Sequence, residues 1–327
     1  MALQAASTSI STTALRTVEL RHLKAHDLEP LLREETIEWD RKLDWDFSKS
    51  AELVRRLADA GELGGVALLD RGEVAGYGYC GLAGHKGQIW DVYVRPGWRK
   101  GDAEAVLFRL LADALLEAPG VRRIESQLML LDAASANALE LEPGVRVFER
   151  LLMKLDTNTP LPPGRASTTA RFRLEPWDDR HHEAAATVLA LAHVRHIDAE
   201  MSDQYRTFAG ASRFLHDLVQ FPGCATFCRP ASYVAFDKAT GQAVGISLAS
   251  FVAAGVAHIA ELCVAPDARG AGLGHELLRQ SAAMLAGAGA KRISLTVTGT
   301  NEEAIRLYTR SGFREARRFH AYVWEKR

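Results

Sequence analysis

The stretch Ile89-Trp90-Asp91-Val92-Tyr93-Val94-Arg95-Pro96-Gly97-Trp98-Arg99 can be laid on Ala260-Glu261-Leu262-Cys263-Val264-Ala265-Pro266-Asp267-Ala268-Arg269, with Asp91 opposite Glu261, Pro96 opposite Pro266 and Arg99 opposite Arg269. An apolar, helix-like run follows each copy. Arg123-Ile124 then parallels Arg292-Ile293, and Gly144-Val145 parallels Gly312-Phe313. A repeat with this order and spacing fixes the number of folding units at two before any element is assigned. The length, 327 residues, agrees, because it exceeds what one hydrophobic core usually organises. Between the copies lies Asp156 to Thr169, with Pro160, Pro162, Pro163 and Gly164 among Ser and Thr, a linker composition. The expected division is a frayed tail over 1–16, a first domain over 17–156, a linker over 157–169 and a second domain over 170–327.

Periodicity gives coarse elements in the second half. Arg171 to Leu174 reads as a strand and His181 to Met201 as mostly helix. Ser232 to Phe236 and Ala243 to Phe251 read as paired strands joined by the Asp237 to Gln242 turn. Ala257 to Val264 reads as a strand, Gly272 to Ala288 as a helix and Arg292 to Val297 as a strand. Strand, helix, strand implies a parallel pair with a right-handed crossover. The fold class expected is mixed α/β.

At the strand-to-helix turn stands Arg269-Gly270-Ala271-Gly272-Leu273-Gly274. The first amides of a helix lack internal partners and carry the positive end of its dipole, so bare backbone there can close around a phosphate oxygen. A ligand-free tight turn could use the same residues. A dinucleotide fingerprint needs a third glycine three positions on, and a P-loop needs Gly-Lys-Ser/Thr; neither is present. Downstream, Asn301, Ala304 and Tyr308 fall on one helical face, Thr300 and Glu303 form a plausible capping box, and Gly312 is placed to end the helix.

Together these segments resemble the GNAT superfamily of acyl-CoA-dependent N-acyltransferases. Arg269, Gly272 and Gly274 fit its R/Q-x-x-G-x-G/A loop, and Asn301, Ala304, Leu307, Tyr308, Gly312 and Phe313 fit its N-x-x-A-x-x-L-Y-x-x-x-G-F stretch. The resemblance implies two GNAT folds, each a mostly antiparallel mixed sheet with a splayed central parallel pair and flanking helices. It implies acetyl-CoA as co-substrate, with Leu262, Cys263 and Val264 offering backbone to the pantetheine arm. Arg269, Gly270, Ala271, Gly272, Leu273, Gly274 and His275 would surround the pyrophosphate, and Asn301 would steady the pantetheine. Tyr308 is the implied general acid and Glu261 the candidate base, direct or through water, unless Glu261 is an ion-paired strand residue.

In the first copy Arg99-Lys100-Gly101-Asp102-Ala103-Glu104 sets two carboxylates where the second has Gly272 and Gly274, and Leu139 stands near the tyrosine position. Like charge there opposes pyrophosphate, so the first copy reads as degenerate, an architecture similar to the mycothiol synthase type. A primary amine of a small molecule is the expected acceptor, with contacts from His181 to Phe221. Asp198, Glu200 and Asp203 could attract it. The alternatives are a catalytically silent acyl-CoA-binding scaffold and an acetyltransferase of protein N-termini or lysines.

The net charge, −1 from 40 basic and 41 acidic residues, gives no field for nucleic acid. Ala243 to Val264 is too interrupted to span a membrane. Cys80, Cys224, Cys228 and Cys263 are too few for a disulfide framework, which points to the cytoplasm. Cys224 and Cys228 with His193 and His196 lack a paired metal spacing, so no metal is expected. A monomer or homodimer is expected.

Overall fold

The computed structural model describes residues 15–99, 102–131, 144–220 and 225–325. In chain order the first half forms β1 (Arg16–Glu19), α1 (Ala25–Leu43), α2 (Ser48–Ala60), β2 (Gly65–Asp70), β3 (Glu73–Ala83), β4 (Lys86–Val94), α3 (Ala103–Glu117), β5 (Arg123–Leu128) and β6 (Val145–Asp156). The second half forms α4 (Ala166–Arg171), β7 (Phe172–Pro176), α5 (His182–Ala192), α6 (Ile197–Met201), α7 (Phe208–Gln220), β8 (Thr226–Phe227), β9 (Tyr233–Asp237), β10 (Ala243–Ala253), β11 (Val256–Val264), α8 (Leu273–Gly287), β12 (Arg292–Thr298), α9 (Glu302–Arg310) and β13 (Arg314–Glu325). The mixed, mostly antiparallel architecture is the one the sequence implies. Leu139 and Cys224 lie outside the described residues.

Among the described residues, the strands join one sheet in the order β1-β2-β3-β4-β5-β13-β6-β12-β11-β10-β9-β7, with β8 on β10. The halves therefore exchange their last strands. β13, from the end of the chain, pairs with β5 of the first half, and β6, from the first half, pairs with β12 of the second. The two exchanged strands also pair with each other, antiparallel from Arg314 opposite Lys154 to Trp324 opposite Val145. Tyr322 and Trp324 of β13 enter the core under α3, their rings 5.1 and 5.0 Å from Phe108. Leu151, Met153 and Leu155 of β6 enter the core under α8 and α9. Two separate sheets were the sequence expectation; each is instead completed by the other half.

Each half holds one short parallel pair. β11 runs beside β12 only from Val256–Arg292 to Ile259–Leu295, and β4 beside β5 only from Lys86–Arg123 to Ile89–Ser126. The strands then part. At the point of parting each first strand has a register shift against its antiparallel neighbour, between Leu248 and Ala249 for β11 and between Tyr79 and Cys80 for β4, leaving Ala260 and Trp90 as the extra residues. A bulge re-aims the side chains beyond it. Glu261 and Cys263 consequently face the α5–α7 side, where Cys263 joins the core beneath α5, while Leu262 and Val264 face α8.

Two local expectations are corrected. The helix expected over His181 to Met201 breaks between Ala192 and Ile197, where Arg195 has φ +59°. The segment expected as linker contains α4 near its end.

Candidate active site

The wedge between Ala260–Val264 of β11 and Thr296–Thr298 of β12 is the organising feature. On its other side β11 is fully paired, with Ser247, Ile246 and Gly245 of β10 opposite Leu262, Cys263 and Val264. Beyond Ile259 its β12-facing edge is left open, which suits an extended ligand that adds to a strand edge.

Glu261 lies on the floor of the helix-covered side, 8% exposed. Burial, and then the Asp198 carboxylate, push its acid up to about 8, although the Tyr205 hydroxyl hydrogen-bonds it. Tyr308 of α9 is also buried, and burial followed by the charge of Glu261 raises its phenol well above the ordinary value. Glu261 thus exchanges its proton near neutral pH, while Tyr308, near enough to feel the Glu261 charge, keeps its own. Cys263 is raised by burial, so it remains a thiol.

The roof is built by the helix break. Asp198 of α6 accepts from Arg150 Nη1 at 3.2 Å and from the Thr298 hydroxyl. Arg150 belongs to the exchanged strand β6, and it also reaches Thr298 Oγ1 at 2.7 Å and Thr296 Oγ1 at 3.0 Å. His193 donates from Nδ1 to the Leu189 carbonyl at 2.8 Å and stacks on Tyr205, centroids 4.3 Å apart. A ring nitrogen of His193, a Glu261 oxygen and Cys263 Sγ lie within 4.8 Å of one another. Arg150, His193, His196 and Tyr205 were not assigned to this site from sequence. Arg150 comes from a strand of the other half, His193 and His196 from a helix break that carries no glycine or proline, and Tyr205 from the turn after α6, so periodicity had no means of finding them.

The glycine turn opens α8. Gly270 and Gly272 have φ +72° and +80°, a region unfavourable to side chains. A Cβ on Gly270 would meet nothing within 4 Å, whereas one on Gly272 would lie 2.8 Å from Thr168 Oγ1. Thr168, in α4, donates to the Ala271 carbonyl at 2.8 Å and so clasps the turn from the linker side. Leu273 is buried in the core and can offer only backbone. Burial lowers His275 from its usual range.

Two assignments change in character. The guanidinium of Arg269 bonds the Val264 carbonyl at 3.1 Å and the Ala192 carbonyl at 2.7 Å, which makes it a brace between strand, turn and helix break. Arg99 makes the matching bond to Val94 at 2.7 Å. The cap of α9 is not Thr300 with Glu303: Asn301 is the N-cap, its Oδ1 accepting from Ala304 N at 3.1 Å, while Nδ2 sits 3.3 Å from His196 Nε2.

In the first half, Asp91, the repeat-mate of Glu261, is buried against Glu35, whose carboxyl accepts from Tyr77 Oη at 2.7 Å. Burial first, then the facing Asp91 carboxylate, raises Glu35 far above its usual range. Glu104 is 4% exposed and turned inward, 3.6 Å from Arg99, so of the two carboxylates expected at that turn only Asp102 is at the surface.

Residues 196–313 match the model of the acetyltransferase (GNAT) family. The second half carries a GNAT acetyltransferase domain. Its matched span runs from the helix break through the wedge, the glycine turn and α9. Solved structures extend the likeness in fold to both halves. A GCN5-related N-acetyltransferase from Sphaerobacter thermophilus is 19% identical, with 95% of each chain covered and a TM-score of 0.67. A tandem GNAT protein from the clavulanic acid biosynthesis pathway is 14% identical, covering 95% of this chain and 98% of its own, with a TM-score of 0.55. A GNAT-family acetyltransferase from Colwellia psychrerythraea is 14% identical over 96% of this chain and 100% of its own, with a TM-score of 0.55. No curated protein matches the chain. Among the described residues no helix is long and apolar enough to cross a membrane.

Proposed function

We propose that the GNAT domain moves the acetyl group of acetyl-CoA to a primary amine of a small molecule by direct attack. The observation that carries this reading is a buried, proton-exchanging Glu261 on a strand whose edge toward β12 is open beyond Ile259. The open edge of Ala260–Val264 and the positive-φ turn at Gly270 and Gly272, with free space before Gly270, fit the arm and pyrophosphate of acetyl-CoA. When bound it supplies an activated acyl thioester. An alkylammonium must lose a proton before it is nucleophilic. Glu261 accepts that proton, its affinity raised by burial toward that of the amine. Tyr308, held protonated, gives a proton to the departing thiolate. A cleft of about 360 Å³ lined by Arg146, Phe148, Glu149, Ile197, Glu200, Thr298 and Thr300 lies at this end of β12 and α6 and has room for a small acceptor.

The first half, in this reading, supports the second and does not bind the cofactor. Asp91 is committed to Glu35, and Asp102 stands at the turn where the second half has glycine. The test is acetyl-CoA turnover by the full chain with benzylamine, histamine, spermidine, glucosamine and glycine. CoA release with at least one amine is expected, and its loss in a Glu261→Gln, Tyr308→Phe double variant. Wild-type turnover by that variant would overturn the assignment.

A further inference from the structure

We propose that His193 is a positioning residue for the reaction, passing the proton of Glu261 between the buried site and the solvent-facing side at His196; this rests on the reading of Glu261 as the base. Glu261 is 8% exposed, so a proton it takes from an amine needs a way out once the acceptor fills the site. His193 is 5% exposed and lies at the end of α5, where the helix stops and its ring turns toward β11. Its Nδ1–H is fixed on the Leu189 carbonyl at 2.8 Å, which leaves Nε2 as the nitrogen with a free lone pair. A ring nitrogen of His193 lies within 4.8 Å of a Glu261 oxygen, and one lies within the same distance of His196 and Asp198. The His193 and His196 rings meet edge to face with centroids 5.3 Å apart, and the His196 side chain is 26% exposed.

The step balances as a proton transfer alone. The N–H bond of the ammonium breaks as an O–H bond forms on Glu261. That O–H then breaks as a water bridging the gap of up to 4.8 Å takes its proton and gives another to Nε2 of His193, forming a short-lived imidazolium. The imidazolium releases the proton to water beside His196, and Nδ1–H stays on Leu189 throughout.

The groups facing this pair from each packed element set its direction. Burial opposes the imidazolium most and Arg269 of the glycine turn adds to that, whereas the hydrogen bond to Leu189 and Asp198 of α6 favour it. Glu261 feels Asp198 from above, Tyr205 from the turn after α6 and Arg150 from β6. Cys263 beside it remains a neutral thiol. The proton thus rests on Glu261 and visits His193, which suits a relay and not a store.

The experiment uses the full chain, acetyl-CoA and the amine panel above, comparing His193→Gln and His193→Ala with Glu261→Gln. Both histidine variants should lose roughly tenfold or more in kcat while keeping wild-type affinity for acetyl-CoA, and added imidazole should restore His193→Ala but not Glu261→Gln. A merely structural histidine would show no imidazole rescue and would lower acetyl-CoA affinity or the melting temperature instead; that result overturns the relay. Wild-type kcat and pH profile in the histidine variants, with Glu261→Gln inactive, overturns the relay and leaves the base standing. Turnover by Glu261→Gln removes the base and the relay together.

Discussion

Glu261 shows how one residue's surroundings decide its chemistry. On an open strand its carboxyl would be ionised at neutral pH and too weak to accept a proton from an ammonium. Buried beside Asp198 it titrates at about 8. Only the ionised form is a base, so kcat/KM for the amine should rise with pH and level off above about 8. Glu261→Gln should abolish that limb and lower kcat by about 10²–10⁴-fold. Asp198→Asn should shift the limb to lower pH, since a charge that favours the protonated form is removed; an unmoved limb would refute the coupling. The repeat-mate obeys the same physics to another end. Asp91 is raised to about 6 by burial, and Glu35 is raised well above its usual range by burial and the facing Asp91, so the folded first half holds protons that the unfolded chain gives up near pH 4. The stability tied to those protons is complete below the ordinary carboxyl range and is lost as pH rises through the folded values. Glu35→Gln, which needs no proton, should make the melting temperature fall less between pH 5 and pH 8 than it does in the wild type, as read by thermal denaturation.

Among the elements, the turn before α8 shows how far the sequence could be read. The Arg269–Gly274 run follows a strand and opens a helix because apolar residues change period there, and that was legible. The clasp by Thr168 was not, because it joins residues a hundred positions apart across a segment whose prolines suggested only a linker. The helix break at His193–His196 was equally hidden, since Arg195 takes a left-handed conformation without being glycine or asparagine. Asn301 was named as a candidate site residue, yet its part as the cap of α9 was assigned to Thr300, one position away. Gly272→Ala tests the turn. The new methyl would be strained at φ +80° and would press on Thr168 Oγ1 at 2.8 Å. The variant should lose about 1–2 kcal/mol of stability and raise KM for acetyl-CoA. Adding Thr168→Ala should recover only the steric part. Gly270→Ala, strained but free of contacts, should be milder in denaturation and equally costly to KM.

For the whole molecule, the exchange of β6 and β13 makes the sheet of each half depend on the other. The repeat was visible in the sequence, but the partner of each last strand was not. β6 and β13 each carry a continuous apolar run, Leu151–Met153 and Ala321–Trp324, so neither sequence marks which sheet it completes. In the fold β6 pairs with β12. The GNAT domain therefore borrows a central strand, together with Arg150, which holds Asp198 over Glu261. Residues 170–327 expressed alone would leave the β12 edge bare and expose Tyr322 and Trp324 of β13 where the first half had buried them. Such a fragment should aggregate, or pair with a second copy through the open edges. Cleavage between Asn158 and Pro163 in the intact protein should behave differently. Both exchanged strands stay in place, so the two pieces should co-elute on size exclusion and retain acetyl-CoA turnover. Separation of the nicked pieces under native conditions, or a monomeric and fully active 170–327 fragment, would show that the exchanged strands are dispensable. Arg150→Met refines the test, because it keeps the strand and removes only the guanidinium. It should leave assembly intact while lowering kcat, which would place the first half's contribution in one side chain carried across the sheet.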